Sequence, residues 1–281
     1  MTDPWTVDRL DLEAYLARTG GAVEEPGLAA LERLQTAHAE TFPFDNLDVL
    51  LGTHPGVALE TVQEKFVGRG RGGYCFEHAT LFGAVLERLG YAVTRHLARV
   101  GEVATTPRTH FVLVVDLDGG QFMVDPGIGR PPLGPIPLVD GGEAVHSGWR
   151  HRVRRVSEGR SWALDRLVHG EWEYMHTMDD LPVQPVDVEM GHHWTSTHPR
   201  THFRSTLMCT RFGRDADGAS KVTTLSLDGV SVRRPDRPTE HRDYSRDELP
   251  DVLTELGAHL TADETMRLAD IVDTLRAARA T

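Results

Sequence analysis

Cysteine is scarce in this chain: Cys75 and Cys209 are the only two in 281 residues. Two are too few for a disulfide framework, so the useful question is whether either thiol is reactive. Positive charge is also in deficit. Thirty Lys and Arg stand against 42 Asp and Glu, a formal net charge of −12. That argues against a nucleic-acid partner, because non-specific binding needs a basic field to displace counterions. No run of about 18 apolar residues occurs, which excludes a membrane-spanning helix. Met1-Thr-Asp-Pro-Trp5 lacks the basic-then-apolar pattern of a secretory leader, and a cytoplasmic location is the expectation. Internal repeats and long low-complexity linkers are missing too. What remains is ordinary for a globular enzyme, with 40% hydrophobic and 26% charged residues and length for two or three compact subdomains.

The first ninety residues read as helical. Asp8 can cap a helix carrying Leu12, Tyr15 and Leu16, closed by Gly20 or Gly21. Pro26 suits a first helical turn ahead of Leu28, Leu31 and Leu34. Pro43 then interrupts the pattern, and a further helix is expected from about Leu59 to Phe66. The turn Gly68-Arg-Gly-Arg-Gly-Gly73 leads into Tyr74-Cys75. Beyond it Phe76, Ala79, Phe82, Leu86 and Leu89 recur at helical spacing as far as Gly90. Cys75 is thereby placed at a helix N-terminus. From Tyr91 the texture is that of strands: Tyr91–Val100, Thr109–Leu117, Gln121–Val124, Arg152–Val156, Trp162–Val168, Thr201–Thr210 and Lys221–Leu227. Helices return around Leu249–Leu256 and Met266–Leu275. Alternating βαβ units are absent, which argues against a doubly wound parallel sheet.

A thiol is a useful nucleophile only as thiolate, and a helix N-terminus and a neighbouring imidazolium both favour that form. Cys75 has the first by position, although a buried structural cysteine is the plain alternative. The second comes from a hairpin. If Asp118-Gly119 is a two-residue turn, opposed positions sum to 237 and Val112 faces Asp125. His110 and Asp125 are then diagonal neighbours on one face, within reach of an imidazole–carboxylate hydrogen bond. A three-residue loop would put them on opposite faces. A carboxylate that orients a histidine, which activates a cysteine, is a generalised catalytic triad.

Together these residues resemble a known family. Arg71-Gly-Gly-Tyr-Cys-Phe-Glu77 looks like the signature of arylamine N-acetyltransferases. Pro43-Phe-Asp-Asn-Leu-Asp48 is similar to that family's Pro-Phe-Glu-Asn-Leu segment, and Tyr15-Leu-Ala-Arg18 to its first-helix motif. Arg108-Thr-His110 and Val124-Asp-Pro-Gly-Ile-Gly129 resemble the stretches carrying its catalytic histidine and aspartate, and Thr195-Ser-Thr-His-Pro199 with Phe203 a further one. The resemblance runs, with gaps, from about residue 9 to about 230. It implies an α+β fold with a helical N-terminal domain (1–90), a central β-barrel (91–195), a C-terminal α/β lid (196–281) and a cysteine-protease-like triad core. It also implies a ping-pong reaction in which Cys75 takes an acetyl group from acetyl-CoA and passes it to an arylamine, arylhydroxylamine or hydrazine. His110 would handle the thiol proton and Asp125 would fix the imidazole. Phe44 and Phe203 match residues of the acceptor pocket, with core packing as the alternative. Thr109, Gly127 and Gly129 match positions near the cofactor, with a strand end or turn as the alternative. No metal is expected, and a monomer or homodimer is.

Three departures bear on acceptor preference and rate. Ala79 stands where the family places Asn. Pro126 and Ile128 replace Val and Phe after the aspartate, and Pro126 removes a backbone donor beside the triad. Gly191-His-His193 replaces an Asn-containing stretch. Other signals carry less. His192, His193, His198 and His202 lack the paired spacing of a structural zinc site, and Cys209 falls in an apolar strand. Arg150, Arg152, Arg154 and Arg155 read as a solvated strand face. Of the arginines near the site (Arg69, Arg71, Arg95, Arg99, Arg108 and Arg130), some could form a local pocket for a phosphorylated ligand. Three rival readings stay open: an amide synthase loading from a carrier-bound polyketide, a hydrolase with the same Cys, His, Asp order, and a binding protein that kept the fold.

Overall fold

The structure is a computed structural model that describes residues 3–156 and 159–279. Helix α1 (Leu12–Thr19) is capped by Asp11, whose carboxylate accepts the Ala14 N–H at 2.9 Å, and it ends on Gly20 at φ 69. The cap expected at Asp8 lies one turn earlier, in a 3-10 turn spanning Val7–Arg9. Asp11 wins because its side chain reaches a free first-turn amide. Helix α2 (Leu28–Thr41) stops before Pro43, as expected. It is followed by a two-residue strand β1 (Phe44–Asp45), α3 (Leu47–Leu51) and α4 (Leu59–Gln63), which passes into a π-helical turn at Glu64–Gly68. Helix α5 (Cys75–Arg88) carries the cysteine at its first position.

Eight strands then build one antiparallel sheet: β2 (Ala92–Val100), β3 (His110–Leu117), β4 (Gly120–Val124), β5 (Ile136–Pro137), β6 (Glu143–His146), β7 (Trp149–Val156), β8 (Ser161–Val168) and β9 (Glu171–Asp179). Their order is β5-β4-β3-β2-β9-β8-β7-β6. The end strand β5 lies against β6 and β7, so the sheet nearly closes into a barrel. Strand β3 is buried on both faces, which explains its unbroken apolar run from Phe111 to Val115. Phe111, Leu113 and Val115 pack under Phe76, Phe82 and Leu86 of α5, while Val112 and Val114 point into the barrel with Met123, Ile136 and Leu164.

Helix α6 (Pro185–Thr197) crosses from the barrel to a second sheet made of β10 (Met208–Arg214), β11 (Ser220–Ser226), β12 (Val230–Arg234) and β13 (Arg237–Arg242), with β1 added beside β10. Helices α7 (Leu249–Glu255) and α8 (Ala262–Arg279) cover it, and buried Cys209 sits in the core between them. The strand expected over Thr201–Thr210 begins only at Met208. Thr201 caps a short 3-10 turn, His202–Arg204, accepting the Phe203 N–H on its hydroxyl. The arginine face of β7 is less solvated than expected: Arg152 and Arg154 both pair with Asp165, at 2.8 and 2.6 Å, and Arg155 lies over the Trp162 ring. Among the described residues no helix is long and apolar enough to cross a membrane.

Candidate active site

The start of α5 is held by buried charge. Tyr74 donates its N–H to the Glu77 carboxylate at 3.1 Å, one half of a capping box. Glu77 also meets Lys65 Nζ at 2.7 Å and His54 at 3.1 Å, and Lys65 reaches Asp48 at 2.9 Å. Burial alone would raise the Glu77 carboxyl, but Lys65 and His54 outweigh it and bring it down to about 2. Arg71 bonds Glu264 on α8 at 3.0 Å, tying the cysteine motif to the C-terminal helix. The glycines of that motif answer to crowding. A Cβ on Gly72 would lie 1.9 Å from the Pro43 carbonyl oxygen, so only glycine passes there.

His110 opens β3 and Asp125 follows the last residue of β4. Asp118 and Gly119 have φ of 52° and 77°, a two-residue turn of the mirror-image type. The ladder runs from Leu117↔Gly120 to Leu113↔Val124, the register that the sequence implies. His110 Nε2 consequently lies 2.8 Å from Asp125 Oδ2, both residues buried. The Cys75 thiol lies near enough to the imidazole to favour its charged form. The thiol also points at the Thr109 carbonyl, 3.5 Å away. Burial would push His110 down, but the Asp125 charge and hydrogen bond, with the thiol behind them, hold its pKa well above the usual histidine value. Asp125 is held low in turn: burial opposes its charge, and His110 and then His176 outweigh burial. Pro126 costs the carboxylate nothing, because the next amide, Gly127 N–H, donates to Asp125 Oδ1 at 3.2 Å.

His176 of β9 is the residue that sequence reasoning missed. Its Nε2 lies 2.9 Å from the same Asp125 oxygen that His110 uses. His169 and Gly170, at φ 50° and 85°, make a second two-residue turn that sets β9 opposite β8 as far as Asp165↔Tyr174, but a bulge then shifts the register by one residue to Leu164↔His176, and no turn rule foretells it. His110, Asp125 and His176 are also the one group among the described residues with metal-ligand chemistry and proximity, their ligand atoms lying within 4.8 Å of one another. The histidines of α6 form no such group. His192 hydrogen-bonds the Tyr74 hydroxyl, and His198 stacks on Trp194.

A cavity of about 420 Å³ opens over the thiol. Cys75, His110, Phe44, Thr109, Gly127, Gly129 and Phe203 all line it, while Asp125 lies behind His110. Phe44 and Phe203 lie side by side in the cavity wall, ring centroids 6.3 Å apart and planes tilted by 60°. Asn46 sets that spacing: its side-chain amide donates to the Phe203 and Thr206 carbonyls at 2.7 and 2.8 Å and accepts the Met208 N–H at 2.9 Å. Gly127 approaches Cys75 so closely that a Cβ would sit 2.8 Å from Cys75 Cα, whereas Gly129 has room for one. Ile128, one of the departures, lines the cavity as well, and sequence reasoning did not find Trp194, Met208, Arg200 and the loop Thr105–Pro107 among its walls. Helix α6, which supplies Trp194, buries mainly Val188, Gly191 and Thr195, too small a face to register as an amphipathic stripe. Ala79 is fully buried in the core beneath α5 and does not reach the cavity.

Known proteins are similar to this chain in sequence and fold. A family model described as N-acetyltransferase matches residues 27–263. The arylamine N-acetyltransferase of Mycolicibacterium smegmatis is 34% identical over 94% of this chain and 99% of its own length. The crystal structure of the Nocardia farcinica arylamine N-acetyltransferase superposes with a TM-score of 0.87 at 36% identity, covering 96% of this chain and 98% of that one. The Mycobacterium marinum enzyme in complex with CoA does so at 0.86 and 31%, covering 94% and 99%. This chain belongs to the arylamine N-acetyltransferase family.

Proposed function

We propose that the protein moves an acetyl group from acetyl-CoA to an arylamine, arylhydroxylamine or hydrazine through a thioester on Cys75. The observation that carries the reading is the single line Cys75–His110–Asp125, set at a helix N-terminus beneath a cavity walled by Phe44 and Phe203. His110, whose charged form Asp125 favours, takes the Cys75 thiol proton and leaves a thiolate beside an imidazolium. That thiolate attacks the acetyl-CoA carbonyl, the carbon–sulfur bond to CoA breaks, and His110 gives its proton to the departing CoA sulfur. An acceptor nitrogen then attacks the acetyl carbonyl, loses a proton to His110, and releases Cys75 as thiolate beside the restored imidazolium. One thioester replaces another in the first half, so the protein supplies nucleophile and geometry rather than driving force. The tilted Phe44 and Phe203 rings give the cavity an aromatic wall against which an aromatic acceptor can pack. The CoA bound by the M. marinum relative supports acetyl-CoA as donor.

Intact-protein mass spectrometry after brief incubation with acetyl-CoA tests this. A gain of about 42 Da, for one acetyl replacing a proton, is expected, lost on adding an arylamine and absent in Cys75→Ala. No adduct on a thiol that iodoacetamide still alkylates quickly would reject acetyl-CoA and point to a carrier-bound donor. No adduct on an inert thiol would end the enzymatic reading.

A further inference from the structure

His176 reaches the same Asp125 oxygen as His110. Strands β3 and β9 are not neighbours, since β2 runs between them. His110 is paired with Ala98 of β2, and His176 with Val100, so both imidazoles stand on one face of the sheet, on either side of β2. The residue between them, Ala98, has only a methyl group, and the ring centroids come to 4.8 Å. Both rings reach Asp125 Oδ2, at 2.8 and 2.9 Å.

The proton on His176 is fixed by its surroundings. Its Nδ1 is buried with no hydrogen-bond partner, so a proton there would be a buried, unpaired donor, and Nε2 would turn a lone pair on a carboxylate. The neutral tautomer with Nε2–H avoids both. Burial and the neighbouring His110 charge disfavour a second proton. Asp125 therefore accepts three hydrogen bonds: one from each histidine on Oδ2 and one from Gly127 N–H on Oδ1. His176 is fully buried and does not line the cavity, so it cannot touch substrate.

We propose that His176 is a positioning residue: its Nε2–H holds the Asp125 carboxylate in the orientation that aims the His110 imidazole at the Cys75 thiol. The proposal rests on Cys75, His110 and Asp125 being the reacting set. A carboxylate with one donor removed can rotate, and a small misplacement of the base is costly when the reacting atoms need near-attack geometry.

The test is a double-mutant cycle on single-turnover acetylation of Cys75 by acetyl-CoA. His176→Phe keeps a ring and removes the donor; His176→Gln returns an N–H near Nε2. Alone, His176→Phe is expected to slow acetylation about 10- to 100-fold at saturating acetyl-CoA, with the half-saturating concentration unchanged. His176→Gln recovers most of the rate. In an Asp125→Asn background the same Phe substitution changes the residual rate less than about twofold, because the carboxylate it would orient is gone. Should His176→Phe fail to fold by circular dichroism, His176→Leu carries the comparison. An unaffected His176→Phe beside a slowed Asp125→Asn would overturn this proposal alone, as would an equal loss in both backgrounds. A fully active Asp125→Asn would overturn the reading of the reacting set as well.

Discussion

Two groups of buried histidines flank the N-terminal turns of α5, and only the barrel-side group holds a ring, His110, in its charged form. On the barrel side, His110 and His176 share a carboxylate. On the helical side, His38 and His78 share only neutral partners. The Tyr15 hydroxyl lies 3.0 Å from His38 Nδ1, His38 Nε2 lies 2.8 Å from His78 Nδ1, and His78 Nε2 lies 3.2 Å from the Pro43 carbonyl. A carbonyl only accepts, so His78 Nε2 carries the proton. His78 Nδ1 must then accept from His38, and His38 Nδ1 from Tyr15. Burial brings His78 down to about 4, the nearby Glu77 charge only partly opposing it, and burial likewise lowers His38. His110, no less buried, goes up. The difference teaches that burial disfavours the charge on every one of these rings, and that the Asp125 carboxylate outweighs burial for only one of the two rings it holds: His110 goes up, while His176 stays lowered beside the His110 charge. A neutral chain can serve as scaffold; a charged pair can move a proton.

The sharpest way to break the comparison is to make the barrel side neutral. Asp125→Asn keeps the shape and removes the charge that holds His110 up. We expect acetyl transfer to fall by about 10³- to 10⁴-fold, the scale of a lost orienting carboxylate in such triads. Iodoacetamide alkylation of Cys75 at pH 6 should slow as well, because the imidazolium beside the thiol is lost. An asparagine variant with unchanged alkylation would mean that the helix N-terminus alone sets the thiol.

The two sides also differ in how far the sequence discloses them. Cys75, its helix and the glycines before it lie in one contiguous string, and local rules place them. His110 and Asp125 needed one non-local inference, a two-residue turn at Asp118-Gly119, and the ladder has that register. His176 needs three more steps, a turn at His169-Gly170, a bulge between Tyr174 and His176, and the placement of β9 beside β2 rather than β3, and strand order is set by how the barrel closes. Asn46 shows the same limit. Its string was visible, but its task of holding Phe203 beside Phe44 spans 157 residues. The π-helical turn after α4 and the small-residue face of α6 left no periodic signal to read.

Gly127 lies on the seam between the two groups. A Cβ there would stand 2.8 Å from Cys75 Cα, 2.9 Å from the Cys75 carbonyl oxygen and 3.2 Å from His78 Cβ. Gly127→Ala should therefore displace the thiol and cost about 10²-fold in Cys75 acetylation, the scale of an ångström of misplacement. The matched control is Gly129→Ala, whose Cβ meets only the Phe44 ring at an ordinary 3.8 Å. That variant should keep its rate within about threefold and express any change in acceptor KM. Equal losses in the two would make the cavity wall, rather than the approach to Cys75, the sensitive element.

The smallest effect on chemistry, and a clear one on stability, is expected where the helical side is broken. His38→Phe fills much of the same space but leaves the Tyr15 hydroxyl without its acceptor and His78 Nδ1 without its donor. Two buried polar groups left unpaired should cost about 2–4 kcal/mol of unfolding free energy, measurable by urea denaturation at pH 7.5. The pH dependence supplies a second signature. A histidine whose folded pKa lies below its unfolded value of about 6.5 lends stability that is present above that pH and drains away as pH falls through the lowered folded pKa. His38 and His78 both behave so, and the folded protein should weaken steadily from about pH 6.5 toward 4, the folded value of His78. His38→Phe removes one of the two groups, so its urea midpoint should fall less steeply over that window than the parent's, although it starts lower. The sign follows from the proton count of this pair: the unfolded parent takes up two protons there that the folded chain refuses and the unfolded variant one, while the other lowered histidines, His151 and His192 among them, contribute alike to both curves. A parallel pair of curves would show instead that His38 is already charged in the folded protein. The Tyr15–His38–His78 chain would then be an ionic device like its barrel-side counterpart rather than a neutral one.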